Sequence, residues 1–250
     1  LTDFSTMKKP TDQGNQRLRL EQLKAWEALG YGMLVCFGIN TFEEQELPLG
    51  DQLSTLYAPD QLDVDQWIRV AREAGMKYAV LTAKHVSGHC LWPSKHTDYH
   101  VGTSGNQTDV VEAFVRACEK HGILPGLYYC SWDNHHRFGS VTRSFTQPGA
   151  NRDFETGLEA FTTREYQDFQ TAQIEELLTQ YGQIGEVWID IPSVLPRDYR
   201  NRLYARIADL QPAAVIMMNH GVGDGATFKD HAWPSDLISM ERTLPSSYVK

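Results

Sequence analysis

One acidic residue interrupts an apolar segment of the chain. Asp190 lies within the run from Val187 to Ile191, whose other members are valine, tryptophan and isoleucine. Because an ionised carboxylate is costly to bury in apolar surroundings, this placement indicates either a functional group or a hydrogen-bonded structural anchor. Glycoside hydrolysis would need a second carboxyl group across the scissile bond, about 5–5.5 Å away for retention. The candidates for it are Glu46, Asp133, Asp236 and Glu241, and sequence spacing does not choose between them.

The segments that follow the apolar runs are rich in aromatic, histidine and polar side chains. This mixture is typical of a carbohydrate site, because aromatic faces stack on the C–H surfaces of sugars while polar groups bind their hydroxyls. The residues in these segments are Glu46, Lys84, His85, Ser87, His89, Trp92, Tyr129, Ser131, Trp132, Asp133, Trp188 and Asp190.

The histidines also raise the question of a metal site. Those after the second and third runs are His85, His89, His96, His100, His135 and His136. A catalytic zinc or iron site needs three converging ligands, yet neither HExxH nor a paired HxH after a strand occurs. Gly88 and Pro93 favour a loop, in which His85 and His89 do not share a helical face. We therefore expect no metal and no cofactor, and without a GxSxG motif we expect no serine hydrolase.

Short apolar runs alternate with amphipathic segments, which is the pattern of βα units around a parallel sheet. The predicted helices cover residues 18–29, 62–74, 109–120, 166–181 and 196–210. The predicted strands cover residues 31–39, 78–83, 123–129, 187–191 and 214–218, and residues 237–240 are a candidate sixth strand. No GxGxxG or Walker loop follows a strand, so a (β/α)₈ barrel is favoured over a doubly wound sheet. Barrel chemistry lies at the carboxyl ends of the strands.

Length and charge limit the classes of protein that fit. The 250 residues contain no internal repeat or low-complexity linker, which predicts one domain over residues 1–250. With Lys+Arg 23 and Asp+Glu 32, the net charge of −9 gives no electrostatic footprint for nucleic acid or an anionic membrane. No apolar run approaches the roughly 20 residues of a membrane span. The four cysteines are widely spaced, which predicts free, mostly buried thiols.

Four motifs follow one another in the order of the predicted strands. They are Phe37-Gly38-Ile39-Asn40-Thr41-Phe42 with Glu46, Leu81 to His85 with Gly88 and Cys90 to Lys95, Gly126 to Tyr129 with Trp132-Asp133, and Glu175 to Gly182 leading into Val187 to Asp190. Together they resemble the catalytic barrel of the α-L-fucosidases of glycoside hydrolase family 29. The resemblance runs from about Leu20 to Pro245. It is greatest to the branch that cleaves α-1,3 and α-1,4 fucosyl linkages, whose first strand is also followed by Asn-Thr-Phe and Glu.

The resemblance implies a retaining exo-glycosidase that releases α-L-fucose or a closely related sugar from fucosylated oligosaccharides or glycoconjugates. A carboxylate attacks the anomeric carbon, and a second carboxyl group protonates the leaving oxygen and then activates water. The nucleophile falls on Asp190. The acid/base falls on Glu241, with Asp236 or a residue beyond 250 as alternatives. The substrate-binding residues expected on this basis are Glu46, His85, Tyr129, Trp132 and Trp188. His89 and Trp92 are added because they follow the second predicted strand.

The chain departs from the family pattern at positions that contact sugar hydroxyls. Cys36 and Val86 stand where the family usually has histidines, Ser87 and His89 replace an Asp and a Phe, and Ile191 replaces the Gly after the nucleophile. Asn219 and His220 stand near where many relatives place an arginine. A site that binds sugar hydroxyls becomes slower and less specific for its sugar when it lacks the hydrogen-bond donors that contact them. These changes therefore leave three alternatives open. They are a related sugar, a pocket rebuilt by His89, and a catalytically impaired carbohydrate-binding homologue. A further hypothesis is a metal-dependent barrel enzyme, which only the histidines support.

The number of predicted strands conflicts with a closed barrel, which needs eight. Either the barrel is irregular, or the chain is a fragment that lacks its last βα units and the family's C-terminal β-domain. The resemblance slightly favours a secreted or periplasmic location, while the unpaired cysteines favour a reducing compartment. The compartment and the oligomeric state stay open.

Overall fold

A parallel sheet and the helices that flank it make up most of the described chain. The computed structural model describes residues 16–136, 162–219 and 234–239. Within these residues the strands are β1 Met33–Val35, β2 Tyr78–Lys84, β3 Leu124–Cys130, β4 Glu186–Asp190 and β5 Val215–Asn219. The helices are α1 Leu20–Glu27, α2 Ile39–Glu43, α3 Val64–Glu73, α4 Val110–His121, α5 Arg164–Gln180 and α6 Arg197–Leu210. Short 3₁₀ helices cover Ser54–Leu56, Val101–Thr103 and Pro192–Val194.

The order of the strands decides the fold class. Each strand pairs in parallel with its predecessor, in the order β1-β2-β3-β4-β5. A doubly wound sheet reverses its order at a switch point, whereas a barrel continues in one direction. Helix α4 packs against β2 and β3, and α6 packs against β5. The predicted class, α/β of the (β/α)₈-barrel type, is confirmed, and over the described residues the sheet is open, with β1 and β5 at its edges.

Three helices begin at side chains that cap them. Asp63, Asp109 and Thr163 precede α3, α4 and α5, and each accepts a hydrogen bond from the backbone N–H three residues later, at 2.9, 2.9 and 3.2 Å. Such caps satisfy donors that have no partner within the helix. The predicted bounds of these helices agree with the structure to within two residues at each end because local chemistry sets them.

The second half of the first predicted strand is wrong. Strand β1 ends at Val35, and Ile39 begins α2 instead of ending a strand. Gly38 has an extended backbone and stands at the N-cap of this helix, and the Ile39 side chain is buried. One apolar run therefore supplies both a strand and the buried start of a helix, which periodicity does not distinguish over so few residues.

The candidate sixth strand is not formed by its described residues, 237–239. Upstream of it, Ser235 and Asp236 bond to the open edge of β5. The Asp236 N–H donates to the Ile216 carbonyl and the Ile216 N–H donates to Asp236 Oδ2, both at 2.8 Å. The Met218 N–H donates to Ser235 Oγ at 2.9 Å. These bonds satisfy backbone groups that an edge strand would otherwise leave unpaired.

Strand alternation divides the side chains of the sheet into two sets. Leu127 on β3 and Ile189 on β4 point toward the helices and belong to the main core. Tyr128 and Trp188 point to the opposite, inner face, where they stand in register with each other. One layer further along, Cys130, Asp190 and Asn219 are also in register. The inner face at the carboxyl ends of β3, β4 and β5 therefore carries the polar groups. None of the described helices is long and apolar enough to cross a membrane.

Candidate active site

The Asp190 carboxylate lies at the carboxyl end of β4 and is hydrogen-bonded at both oxygens. The Tyr128 hydroxyl donates to Oδ2, and the Asn219 side-chain amide donates to Oδ1 at 2.6 Å. The donors come from the two neighbouring strands, and Asp190 itself is only partly buried. Hydrogen bonds to an ionised acceptor are stronger than neutral ones, so these two fix the orientation of the carboxylate. The carboxylate of Asp190, which the sequence places in an apolar strand, is thus held by hydrogen bonds and is still partly exposed to solvent.

Tyr128, which bonds to this carboxylate, contacts two further rings. The His85 ring stacks on Tyr128 with centroids 5.9 Å apart and planes inclined by 27°, and Tyr128 and Trp188 have centroids 5.8 Å apart. The structure therefore brings three predicted site residues, Asp190, His85 and Trp188, together around Tyr128. Burial raises the pKa of Tyr128 well above its ordinary value, and the charge of Asp190 adds to this. The tyrosine hydroxyl consequently remains a proton donor at neutral pH.

Two polar atoms at this site have no partner among the described residues. They are His85 Nδ1 and Trp188 Nε1, both buried. Burial lowers the pKa of His85 to about 4, so the imidazole is neutral near pH 7 and offers one donor and one acceptor. Because buried polar atoms normally have hydrogen-bond partners, both atoms keep an unused hydrogen-bonding capacity next to Tyr128.

The residue after Asp190 has an unusual backbone. Ile191 has a φ of +53° and a ψ of +48°, in the left-handed region that β-branched residues rarely adopt. Its N–H donates to the Asn219 carbonyl at 3.2 Å, and the 3₁₀ helix Pro192–Val194 follows at once. The resemblance implies a glycine at this position, and glycine adopts a φ angle of this kind without strain.

Tyr129, predicted to contact the substrate, lies on the outer face of the sheet. It is 1% exposed, accepts a hydrogen bond from Lys84 Nζ and donates one to Gln173 Oε1, both at 2.8 Å. Strand alternation places its neighbour Tyr128 at the site instead. The sequence alone places Trp188 on the same face of β4 as Asp190, because the two are separated by one residue. That Tyr128 shares this face follows only from the register of β3 against β4.

Two predicted tryptophan contacts are packing residues. Trp92 is fully buried, and its indole N–H donates to Glu176 at 3.0 Å. Trp132 is 5% exposed, and its indole N–H donates to Asn134 at 2.9 Å. Rings enclosed to this degree present no face on which a sugar could stack. Of the aromatic residues near Asp190, Tyr128 and Trp188 contact each other, with ring centroids 5.8 Å apart.

His89 also lies inside the protein. Its Nε2 is 2.9 Å from Ser104 Oγ and 3.2 Å from Ser54 Oγ, and its ring contacts Tyr57 and Tyr99. Burial lowers the pKa of His89 to about 3, with nearby histidines adding to the effect. A neutral, hydrogen-bonded and enclosed histidine joins the loops after β1 and β2 instead of facing a ligand.

Asp236, the second candidate for the acid/base, is a structural anchor. Its side chain is 3% exposed and pairs with Arg17. It also accepts hydrogen bonds from the Tyr204 hydroxyl at 2.5 Å and from the Ile216 N–H. Ile216 precedes Asn219 by three residues, or about 10 Å along a strand. The Asp236 carboxyl is thus held well short of the end of β5 at which Asp190 lies. Glu241, the first candidate, lies outside the described residues, and Glu46 is exposed after α2.

Asp133, another candidate, belongs to a buried ionic network. Its carboxylate is 2.5 Å from Lys84 Nζ, and both side chains are fully buried. It also contacts His136 Nδ1 at 3.0 Å. Burial by itself would raise the pKa of Asp133, but the charges of Lys84 and His136 prevail and hold it below its usual range. A carboxyl group that stays ionised and paired is unsuited to protonate a leaving group.

A β-bulge explains why the neighbouring side chains of Lys84 and His85 lie in different parts of the structure. The register of β2 against β3 shifts between Thr82 and Lys84, so that Thr82 pairs with Tyr128 and Lys84 pairs with Tyr129. An extra residue of this kind redirects the side chains that follow it. Lys84 consequently enters the buried network while His85 stacks at the site, which the sequence alone did not reveal.

No group of three or more metal-ligating side chains is found in residues 16–136, 162–219 and 234–239. The four cysteines all lie in the described segments. They are free, and Cys90, Cys118 and Cys130 are buried while Cys36 is exposed, in agreement with the sequence prediction.

Comparison with known proteins identifies the family. The sequence profile of the family named Alpha-L-fucosidase matches residues 22–249. The chain belongs to the alpha-L-fucosidase family. It is 32% identical over 239 residues to Alpha-L-fucosidase 1 of Arabidopsis thaliana, covering 90% of this chain and 43% of that one. A putative alpha-L-fucosidase from Bacteroides thetaiotaomicron superposes with a TM-score of 0.66 and 31% identity over 85% of this chain and 42% of that one.

A more distant structure shares the fold. It is a trapped covalent intermediate of an alpha-L-fucosidase of glycoside hydrolase family 29 from Bacteroides thetaiotaomicron, in complex with 2-fluoro-fucosyl fluoride. It superposes with a TM-score of 0.64 at 20% identity, over 84% of this chain and 50% of that one. The chain of the family member described here thus spans half or less of the length of the relatives reported.

Proposed function

We propose that this family member is a retaining exo-glycosidase that releases α-L-fucose, with Asp190 as the nucleophile. The observation that carries the proposal is the geometry of Asp190. A partly exposed carboxylate at the end of a barrel strand is oriented by Tyr128 and Asn219. Tyr128 in turn contacts the rings of His85 and Trp188, whose Nδ1 and Nε1 have no partner among the described residues. A sugar in this place would meet a nucleophile, an aromatic surface and hydroxyl-binding groups together.

The proposed reaction has two displacements. A lone pair of the Asp190 carboxylate forms a bond to the anomeric carbon while the bond to the aglycone oxygen breaks, and that oxygen takes a proton from the acid/base. Water then bonds to the anomeric carbon, gives its proton to the acid/base, and the ester bond to Asp190 breaks with its electron pair returning to the carboxylate. We propose Glu241 as the acid/base, because residues 239–245 resemble the segment in which some members of the family carry it.

The test uses 4-nitrophenyl α-L-fucoside with the parent chain and Asp190→Asn. Loss of a nucleophile of this kind lowers kcat by roughly 10⁴-fold or more. The matched control is Asp198→Asn, which removes an exposed carboxylate of α6 that pairs with Arg202. In Asp190→Gly, added azide is expected to restore turnover and to give the β-fucosyl azide. An Asp190→Asn variant with more than a tenth of parental turnover would overturn the nucleophile assignment.

We further propose that the chain belongs to the branch acting on α-1,3 and α-1,4 linkages, because Asn40-Thr41-Phe42 and Glu46 follow β1. Hydrolysis of 3- and 4-linked fucosyl oligosaccharides at least tenfold faster than 2-linked ones is expected. The reverse preference would contradict the branch and leave the fucosidase proposal in place.

The departures from the family pattern support one alternative. Val86 is 1% exposed, Cys36 is a free thiol and Ile191 has a φ of +53°, at positions where the resemblance implies two histidines and a glycine. Fucose binding without turnover of any aryl glycoside would favour an impaired carbohydrate-binding homologue over the hydrolase.

A further inference from the structure

The two hydrogen bonds to Asp190 serve different oxygens and come from opposite sides. Tyr128 on β3 donates to Oδ2, and its ring contacts both His85 and Trp188. Asn219 on β5 donates to Oδ1 and is only 2% exposed. Both donors are buried, since Tyr128 is 5% exposed. Oδ2 is therefore bonded from the side of the His85 and Trp188 rings, and Oδ1 from the side of β5.

Asn219 bonds to the nucleophile segment at a second point. Its backbone carbonyl accepts the N–H of Ile191, the residue with the left-handed backbone. A strained backbone conformation persists only where contacts with the surrounding structure hold it in place. Asn219 thus contacts both the carboxylate and the backbone that carries it.

We propose that Asn219 is a positioning residue that holds Oδ1 through both displacements, so that Oδ2 is the atom that bonds to the anomeric carbon. This inference rests on the proposed fucosidase function. In the first step Oδ1 becomes the carbonyl oxygen of the ester and can keep the Asn219 hydrogen bond. In the second step the bond between Oδ2 and the anomeric carbon breaks, and negative charge returns to a carboxylate that Asn219 stabilises.

The charge that returns in the second step gives the proposal a kinetic consequence. The amide bonds more strongly to an ionised carboxylate than to an ester carbonyl. Without the amide the carboxylate is a poorer leaving group, so the ester accumulates. In Asn219→Ala we expect kcat to fall about tenfold or more and KM to fall with it, with a burst of nitrophenol in the first turnover. The acidic limb of kcat/KM moves to higher pH by about one unit, which corresponds to a tenfold change in proton affinity.

Two variants and one control make the test specific. Asn219→Asp keeps the shape and the backbone carbonyl but replaces the donor with an acceptor, and should lose more activity than Asn219→Ala. Asn201→Ala changes an exposed asparagine of α6 and should match the parent. Parental kinetics in Asn219→Ala would overturn the proposal. The proposal would also be overturned if Asn219→Ala had lower activity only because fewer of its active sites were functional, with KM and the pH profile unchanged. That result would indicate a structural role alone.

A measurement without turnover separates this proposal from the fucosidase proposal. Carbon-13 NMR of the aspartate carboxyls, assigned with Asp190→Asn, gives the pH at which Asp190 titrates. In Asn219→Ala this midpoint should rise by about one pH unit whether or not the chain hydrolyses fucosides. An unchanged midpoint overturns the positioning role. Parental turnover in Asp190→Asn would overturn the proposed mechanism, while a shifted midpoint would still support the contact between Asn219 and Asp190.

Discussion

Replacing Asp133 with asparagine should leave a buried cation without its counter-charge. The Lys84 ammonium is fully buried, 2.5 Å from the Asp133 carboxylate and 2.8 Å from the Tyr129 hydroxyl, with the Tyr129 ring centroid at 4.4 Å. Breaking a buried ion pair from one side costs about 3–5 kcal/mol, because the remaining charge has lost its compensation. The asparagine oxygen can still accept a hydrogen bond, so we expect the lower value, about 3 kcal/mol.

The corresponding change in melting temperature can be worked from the size of the chain. For a protein of 150–250 residues, each kcal/mol shifts Tm by about 2–4 °C, which gives a decrease of roughly 6–12 °C. Urea unfolding followed by circular dichroism measures the free energy directly. The control is again Asp198→Asn, whose ion pair with Arg202 is exposed, and it should change the free energy of unfolding by less than about 1 kcal/mol.

A double variant tests the reason for the loss. In Lys84→Met with Asp133→Leu both charges are gone, and apolar replacement of a buried pair is often neutral or stabilising. The double variant should therefore recover most of the stability lost in Asp133→Asn. If Asp133→Asn costs less than 1 kcal/mol, or if the double variant is less stable than the single one, the argument from an uncompensated charge is wrong.

The same pair predicts a dependence of stability on acid. The pKa of Asp133 is lowered in the folded state, so its contribution is present above the ordinary aspartate pKa of about 3.9. It is lost as the pH falls below that value toward the folded-state pKa. The difference in unfolding free energy between the parent and Asp133→Asn should be constant from pH 5 to 7 and should shrink below pH 4.

Two further predictions concern the strand that carries Asp190. In Ile191→Gly, relief of about 1–3 kcal/mol of backbone strain offsets the lost side-chain burial and the entropy of glycine, so unfolding free energy should change by less than about 1 kcal/mol. Val115→Gly in regular helix should lose clearly more, and an equal loss would contradict the strain. Burial raises the pKa of Glu186 to about 7, so its ionisation opposes folding as the pH rises from about 4.5 to 7. The free energy of unfolding should therefore decline over this pH range, and Glu186→Gln should remove up to roughly 3 kcal/mol of the decline. Identical curves of unfolding free energy against pH for the parent and Glu186→Gln would refute this prediction.

Local sequence signals predicted most of the elements. Alternating apolar runs and amphipathic segments marked all five described strands and the helices α1 and α3 to α6, and side-chain caps at residues such as Asp109 fixed where helices begin. The run at residues 31–39 was misread because a strand and the buried start of α2 have the same apolar composition over a few residues. The sequence resemblance agreed with the family that the comparisons identify.

The candidate site was only partly predictable. Asp190 was found because a lone carboxylate in an apolar strand is a local anomaly, and His85 and Trp188 followed from the family resemblance. Tyr129 and Trp132 were expected at the site on the same grounds, and Trp92 and His89 from their position after the second strand, yet each of the four is buried. Residue type and position after a strand do not say which face of the sheet a side chain occupies.

The sequence by itself determined the order of βα units, the caps, and the residue types available at each strand end, because these depend on short-range periodicity and hydrogen bonding. The tertiary structure alone decided that Tyr128 and not Tyr129 meets Asp190, that the bulge in β2 separates Lys84 from His85, and that Asn219 reaches Oδ1. These outcomes depend on the register between strands distant in the chain. A shift of one residue in that register moves a side chain to the opposite face of the sheet.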